Sequence, residues 1–254
     1  MKQEIKIFFT ALMFFTRLPS PTWLDYSEDY LNQSTKYFPL IGWIVGSSAA
    51  LFFFLSALIF PISIAVILSM ATSIIITGAF HEDGFADVCD GFGGGWTKAQ
   101  ILAIMKDSRL GTYGVTGITL ILLLKFSALQ AIPAEMVPII LIAGHSLSRF
   151  ATSTIIFTHD YVRDNDNSKV KPVAKQLSRQ GLIIAGIFGI APLLLLPSYY
   201  CLLAIIPVFL TTIYLAHFFT KKIGGYTGDC LGAIQQMTEI VFYLAMVTKF
   251  WTYI

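Results

Sequence analysis

Three aspartates, Asp83, Asp87 and Asp90, lie within the stretch His81-Glu82-Asp83-Gly84-Phe85-Ala86-Asp87-Val88-Cys89-Asp90-Gly91 and form the chain's densest group of reactive side chains. On a helix advancing about 100° per residue, the spacing i, i+4, i+7 holds them within an arc of about 60°, with Phe85 and Val88 on the other face. Carboxylates that close repel one another unless something positive sits among them. Hard oxygen donors in a cluster suit Mg²⁺, or Mn²⁺ in its place; such ions keep several waters and take substrate phosphate oxygens in their remaining positions. A solvated acidic helix face is the competing explanation, and the hydrophobic setting argues against it. Glu82 either adds a ligand or faces solvent. His81 or one of the carboxylates could accept the proton of an attacking hydroxyl, since that work needs only hydrogen-bond reach and a suitable pKa.

Immediately downstream, Gly91-Phe92-Gly93-Gly94-Gly95 leads into Thr97-Lys98-Ala99-Gln100, a capping-box pattern that predicts a helix ending near Lys106-Asp107-Ser108-Arg109-Leu110-Gly111-Thr112. A glycine turn before a helix N-terminus can hold phosphate on backbone N–H groups, so Gly93 and Gly94 are candidate substrate contacts. No Gly-Lys-Ser/Thr follows, which excludes a Walker A loop. A second glycine-rich segment, Gly224-Gly225-Tyr226-Thr227-Gly228-Asp229, offers Gly225 and Thr227 as substrate contacts and Asp229 as a further metal ligand; a plain connecting loop is the alternative. Lys106, Arg109 and Arg163, with Tyr161, could rim an anionic substrate, because a guanidinium binds two phosphate oxygens at once, and Asp107 beside them is a further candidate substrate contact. The same basic residues could instead serve only as topology determinants. Inside the apolar runs, His145 and Arg149 are four apart, and Glu239 sits about two turns into the last run. Arg149 therefore either recognises phosphate or pairs with Glu239, while Lys125, nearer the end of its run, is expected to snorkel.

The elements that must position these groups are apolar. Hydrophobic residues make up 56% of 254 residues and charged residues 13%, with mean hydropathy +0.71, a balance that a water-soluble domain does not sustain. About 20 apolar residues cross a bilayer, and runs near that length occupy 37–60, 62–80, 113–132, 136–157, 181–197, 199–218 and 233–254. The expectation is an all-α polytopic bundle of about seven transmembrane helices forming one domain over 1–254. Pro61, Pro133 and Pro197 mark short joins between paired helices. The longer polar segments 18–36, 81–112, 158–180 and 219–232 then share one side, and their lysines and arginines place that side in the cytosol and the C-terminus outside. Residues 7–15 form an apolar run too short for a full span, flanked by Lys6 and Arg17 and without a small-residue cleavage site, which predicts an amphipathic or short first helix. A net charge of +2 with no basic stripe excludes nucleic acid as an expected partner. Cys89, Cys201 and Cys230 show no CxxC spacing and are expected to be reduced thiols.

Five motifs in order resemble cobalamin synthase, the adenosylcobinamide-GDP ribazoletransferase family. They are Phe15-Thr16-Arg17-Leu18-Pro19, Phe38-Pro39-Leu40-Ile41-Gly42, His81 to Gly91, Met105 to Thr112, and Gly225-Tyr226-Thr227-Gly228-Asp229. The resemblance implies a multi-pass enzyme of the bacterial cytoplasmic membrane, active at the cytosolic face. It joins adenosylcobinamide-GDP to α-ribazole or its 5′-phosphate, releases GMP and requires Mg²⁺. In that scheme Asp83, Asp87 and Asp90, with Asp229, hold metal at the pyrophosphate. Glu82 departs from the pattern, which has an apolar residue between the histidine and the aspartate. A homo-oligomer or a complex with other corrinoid enzymes is compatible with the resemblance. A CDP-alcohol phosphotransferase resembles the aspartate motif in part, but its alanine-arginine pair and wider aspartate spacing are missing here. An ion-coupled transporter using His145, Arg149 and Glu239 would need carboxylates at the membrane midplane, and the aspartates stand at one face. A structural membrane subunit leaves the clustered carboxylates unexplained.

Overall fold

A computed structural model describes residues 2–25, 27–162 and 177–248. The described residues fold as a series of helices: α1 (Lys2–Phe15), α2 (Glu28–Ser34), α3 (Phe38–Ala57), α4 (Ile62–Thr77), α5 (Phe80–Gly94), α6 (Lys98–Ile104), α7 (Thr112–Ala131), α8 (Val137–Thr158), α9 (Arg179–Ile190), α10 (Ile205–Ile223) and α11 (Gly228–Met246). Short 3₁₀ turns join α2 to α3, extend α9 through Leu195 and lead into α10 from Tyr199. Among the described residues the β structure is a single parallel bridge between Tyr161 and Tyr226.

Apolar side chains cover the outside as well as the core: Ile75 is 71% and Leu194 72% exposed. The hydrophobic surface finds its solvent in lipid tails, and the helices meet where small residues let backbones approach. Gly46 of α3 lies against α8, where an added Cβ would stand 2.7 Å from the Cα of Ile142. Gly42, one turn earlier, meets the His145 carbonyl in the same way. This contact holds α8, and with it His145 and Arg149, against the centre of the molecule.

Among the described residues, four helical stretches are long and apolar enough to cross a membrane: Glu28–Ala57, Thr112–Ala131, Val137–Thr158 and Tyr199–Ile223. A fifth arises if the bent pair α4–α5 counts as one span. The expected count of seven is therefore not reached on length and composition. Arg179–Leu195 is apolar but short, and α11 carries Gln235, Gln236 and Glu239. The first helix is 14 residues long, about 21 Å at 1.5 Å per residue, in keeping with a non-spanning element. Its Phe15 stacks on Phe38 at 4.2 Å.

Where they are described, three of the four polar segments meet: 81–112 packs on 219–232 through Gly84 and Asp229, and 219–232 bonds to the start of 158–180. Arg17 N–H donates to the Ile76 carbonyl at 2.7 Å, and Tyr226 N–H to that of Asp160 at 3.0 Å. Gly111 N–H donates to Asp90 in α5 at 2.7 Å.

Candidate active site

The aspartate motif occupies α5, which does not continue the line of α4. Gly78 and Ala79 adopt left-handed backbone at φ 67° and 57°, and α5 departs at 89°. Glycine takes this conformation freely and alanine reluctantly, so the break is a built feature of the chain. Past the turn, α5 crosses α11 at backbone contact. A Cβ on Gly84 would lie 3.0 Å from the Cα of Asp229, and one on Gly232 would lie 3.1 Å from the His81 carbonyl oxygen. The crossing sets Asp229 beside the turn of α5 that separates Asp83 from Asp87.

The three aspartates divide between two environments. Asp83 is exposed and Asp87 half-buried at the rim, whereas Asp90 is buried. Asp90 Oδ2 accepts from Gly111 N–H at 2.7 Å and Oδ1 from Gly114 N–H at 2.8 Å. Those amides belong to the first turn of α7, so Asp90 caps that helix and answers its positive end. Among the described residues no three histidine, cysteine, aspartate or glutamate side chains converge on one ion position. Mg²⁺ does not need such a cage, because it is commonly held by one or two carboxylates and completes its shell with water and phosphate. Asp83 and Asp87, one turn apart at the rim, fit that requirement.

Glu82 and His81 point inward. Glu82 Oε1 accepts from Gln236 Nε2 at 3.0 Å, and His81 is enclosed between Phe38 and Phe80. Below them lies a buried polar cluster. Lys125 Nζ meets Glu239 Oε1 at 2.8 Å, and His145 Nδ1 meets Glu239 Oε2 at 3.2 Å. The Tyr243 hydroxyl donates to Glu239 at 3.2 Å and Gln235 Nε2 donates to it at 2.5 Å. Arg149 Nη1 donates to the His145 carbonyl at 2.8 Å, and its guanidinium lies 5.4 Å from the Phe38 ring centre. Two expectations are corrected here. The direct ionic partner of Glu239 is Lys125, not Arg149, and Lys125 is buried instead of snorkelling. Arg149 and Glu239 are 1% and 0% exposed, so both stand beneath the rim. Among the described residues, His81 Nε2, Glu82 Oε2 and Arg149 Nε find no hydrogen-bond partner.

The remaining candidates lie at the rim or hold its loops. Lys106 is exposed. Arg109 grips Asp107 through its backbone N–H at 3.1 Å, Nε at 3.0 Å and Nη2 at 2.5 Å, and this guanidinium holds the Asp107 carboxyl below its usual range. Both border a cleft of about 290 Å³, with Asp90, Ile104, Gly94 and Tyr113. Gly93 faces the Tyr113 ring, where a Cβ would come within 2.6 Å of ring carbon. Gly225 lets the chain pass the Asp160 carbonyl, and Thr227 Oγ1 accepts from Cys230 N–H at 3.3 Å to cap α11. Arg163 lies outside the described residues.

A family model described as cobalamin-5-phosphate synthase matches residues 7–247. The chain belongs to the cobalamin-5-phosphate synthase family. Curated relatives of the synthase family named adenosylcobinamide-GDP ribazoletransferase include one from Shewanella frigidimarina, 47% identical over 96% of this chain and 95% of its own. Others come from Shewanella amazonensis, 44% identical over 97% and 96%, and Vibrio parahaemolyticus, 42% identical over 97% and 94%. No solved structure gives a significant match. The resemblance drawn from five motifs is thus borne out across the chain, and neither the phosphotransferase nor the transporter alternative is the family that matches.

Within this synthase-family chain, the groups missed from sequence are Gln235, Gln236 and Tyr243, whereas Lys125 is noticed there but given the wrong role. Two adjacent amides in a hydrophobic run were the available signal, since a buried amide in a membrane protein needs a partner.

Proposed function

We propose that this chain joins adenosylcobinamide-GDP to α-ribazole or its 5′-phosphate with release of GMP, as an integral enzyme of the bacterial cytoplasmic membrane whose reactive end faces the cytosol. The observation that carries the reading is that relatives bearing this activity's name align over nearly the whole chain. The exposed Asp83 beside the half-buried Asp87 gives that chemistry a place. Exposed Lys98, Lys106 and Arg109 at the same end favour the cytosolic orientation.

A ribose hydroxyl of the ribazole forms a bond to the cobinamide-linked phosphorus; the bond from that phosphorus to the oxygen bridging toward guanosine breaks, and GMP leaves. Asp83 and Asp87 would hold Mg²⁺ or Mn²⁺, with Asp229 alongside; the bound ion neutralises charge on the pyrophosphate. The hydroxyl proton passes to a rim carboxylate. His81 is enclosed and both oxygens of Asp90 already accept from α7 amides, so neither is placed to take that proton. Asp90 instead fixes the first turn of α7 against α5, which keeps the cleft and the aspartates in register.

The test is GMP release by the protein in nanodiscs, from adenosylcobinamide-GDP plus α-ribazole 5′-phosphate, with Mg²⁺ or EDTA. Release is expected to require both substrates and the metal, and to fall by about two orders of magnitude or more in Asp83→Asn. A folded native protein that releases no GMP overturns the proposal.

A further inference from the structure

Asp107 already holds a ligand of its own. Arg109 Nε–H is shared between Asp107 Oδ1 and Oδ2, both at 3.0 Å, while Nη2–H beside it donates to Oδ2, so two adjacent N–H groups meet the carboxylate edge as in a guanidinium–carboxylate pair. Guanine carries the same array, since its N1–H and 2-amino group flank one carbon as the two nitrogens of Arg109 do. The surroundings suit a base better than a phosphate. Two carboxylates, Asp90 and Asp107, border the cleft against one arginine, and crowded negative charge disfavours an entering anion. Ile104 supplies an apolar wall. The Tyr113 ring lies across the Gly93 backbone and is still 58% exposed, which leaves it open to stack an aromatic ring. At about 290 Å³ the cleft is at the small end of ligand cavities, about 300–1,000 Å³, suited to one bicyclic base and not to a corrin ring.

We infer that this cleft is the guanine subsite: Asp107 reads the N1–H and 2-amino edge, Tyr113 stacks on the ring, and the displaced Arg109 turns to the pyrophosphate. The inference rests on the proposed reaction and adds where its nucleotide binds. The other aromatic bases in that reaction lack this pair of donors: the benzimidazole of the ribazole has no N–H once glycosylated, and the adenine of the adenosyl group sets an acceptor nitrogen beside its amino group. Arg109 acts as an internal stand-in that keeps the carboxylate formed and the cleft shaped until the substrate replaces it.

The test compares turnover of adenosylcobinamide-GDP with that of its xanthosine counterpart, in which a carbonyl replaces the 2-amino group. The native chain is expected to prefer guanine by about a hundredfold or more, because a site built for a donor leaves its own group unpaired when the donor is missing. Asp107→Asn, whose amide can donate to that carbonyl, is expected to shift the preference toward xanthosine. An Asp107 that merely braces the loop would slow both substrates alike, and an unchanged ratio overturns the inference. Product inhibition of the native protein needs no variant: GMP is expected to inhibit at least about tenfold better than xanthosine monophosphate, and equal inhibition likewise overturns it. If the native chain fails to turn over adenosylcobinamide-GDP at all, the parent reaction fails instead.

Discussion

Asp83 and Asp90 are interchangeable by residue type and lie on the same helical arc, yet one is open at the rim and the other caps a helix. Substitution should separate them. Asp90→Ala removes the acceptor for Gly111 and Gly114 N–H and should cost about 0.5–2 kcal/mol, the range for a lost N-cap, with more if the amides stay buried and unpaired. Asp83→Asn changes an exposed carboxylate and should leave stability within about 0.5 kcal/mol. Thermal unfolding in one detergent, followed for both variants, checks this; equal losses would mean that Asp90 does not carry α7. Helical periodicity made the shared arc legible. It could not show which aspartate would be drawn aside, because the amides that do so belong to a turn beyond an intervening glycine segment and helix α6.

At the scale of elements, the helical runs were readable because bilayer length and apolarity constrain them together. The right-angled α5 was not, since an Ala79 in left-handed backbone leaves no periodic mark. The buried cluster was half legible: charge inside an apolar run declared itself, but its pairing did not, because Lys125 and Glu239 come from α7 and α11 and meet only through packing. Their contact at 2.8 Å sits where neither charge can reach water. Removing one partner strands the other, at about 3–5 kcal/mol. Glu239→Gln and Lys125→Met should each destabilise the bundle by roughly that amount. The pair Lys125→Met with Glu239→Gln should cost clearly less than the two single changes added, because neither member of the pair is left charged without the other. Denaturation of the four proteins in the same micelles measures the coupling, and strict additivity would remove the ion pair from what fastens α7 to α11.

For the whole molecule the open quantity is how often the chain crosses the membrane. Length and apolarity admit four or five spans, yet the connectivity asks for more. Residues following α8 hydrogen-bond to Tyr226, which follows α10, so α8 and α10 finish at the same end of the bundle. For α10 to begin at the far end, Arg179–Leu195 must first run back across. Twelve α-helical and five 3₁₀ residues reach about 28 Å at 1.5 and 2.0 Å per residue, against a hydrocarbon layer of about 30 Å. The polar residues of α11 fail a composition test made for lipid-facing helices, but they face Lys125, Ser148 and Glu82 inside the bundle. We therefore expect seven crossings, with Tyr199 opposite Ser108. In a variant freed of Cys89, Cys201 and Cys230, a membrane-impermeant maleimide should label Tyr199→Cys in intact cells and Ser108→Cys only after lysis. Were Tyr199→Cys to stay unlabelled until lysis while Ser108→Cys behaved as expected, Arg179–Leu195 would not cross. The hydrogen bonds at Tyr226 would then have to join two loops on opposite sides of a membrane, which no fold of this chain allows.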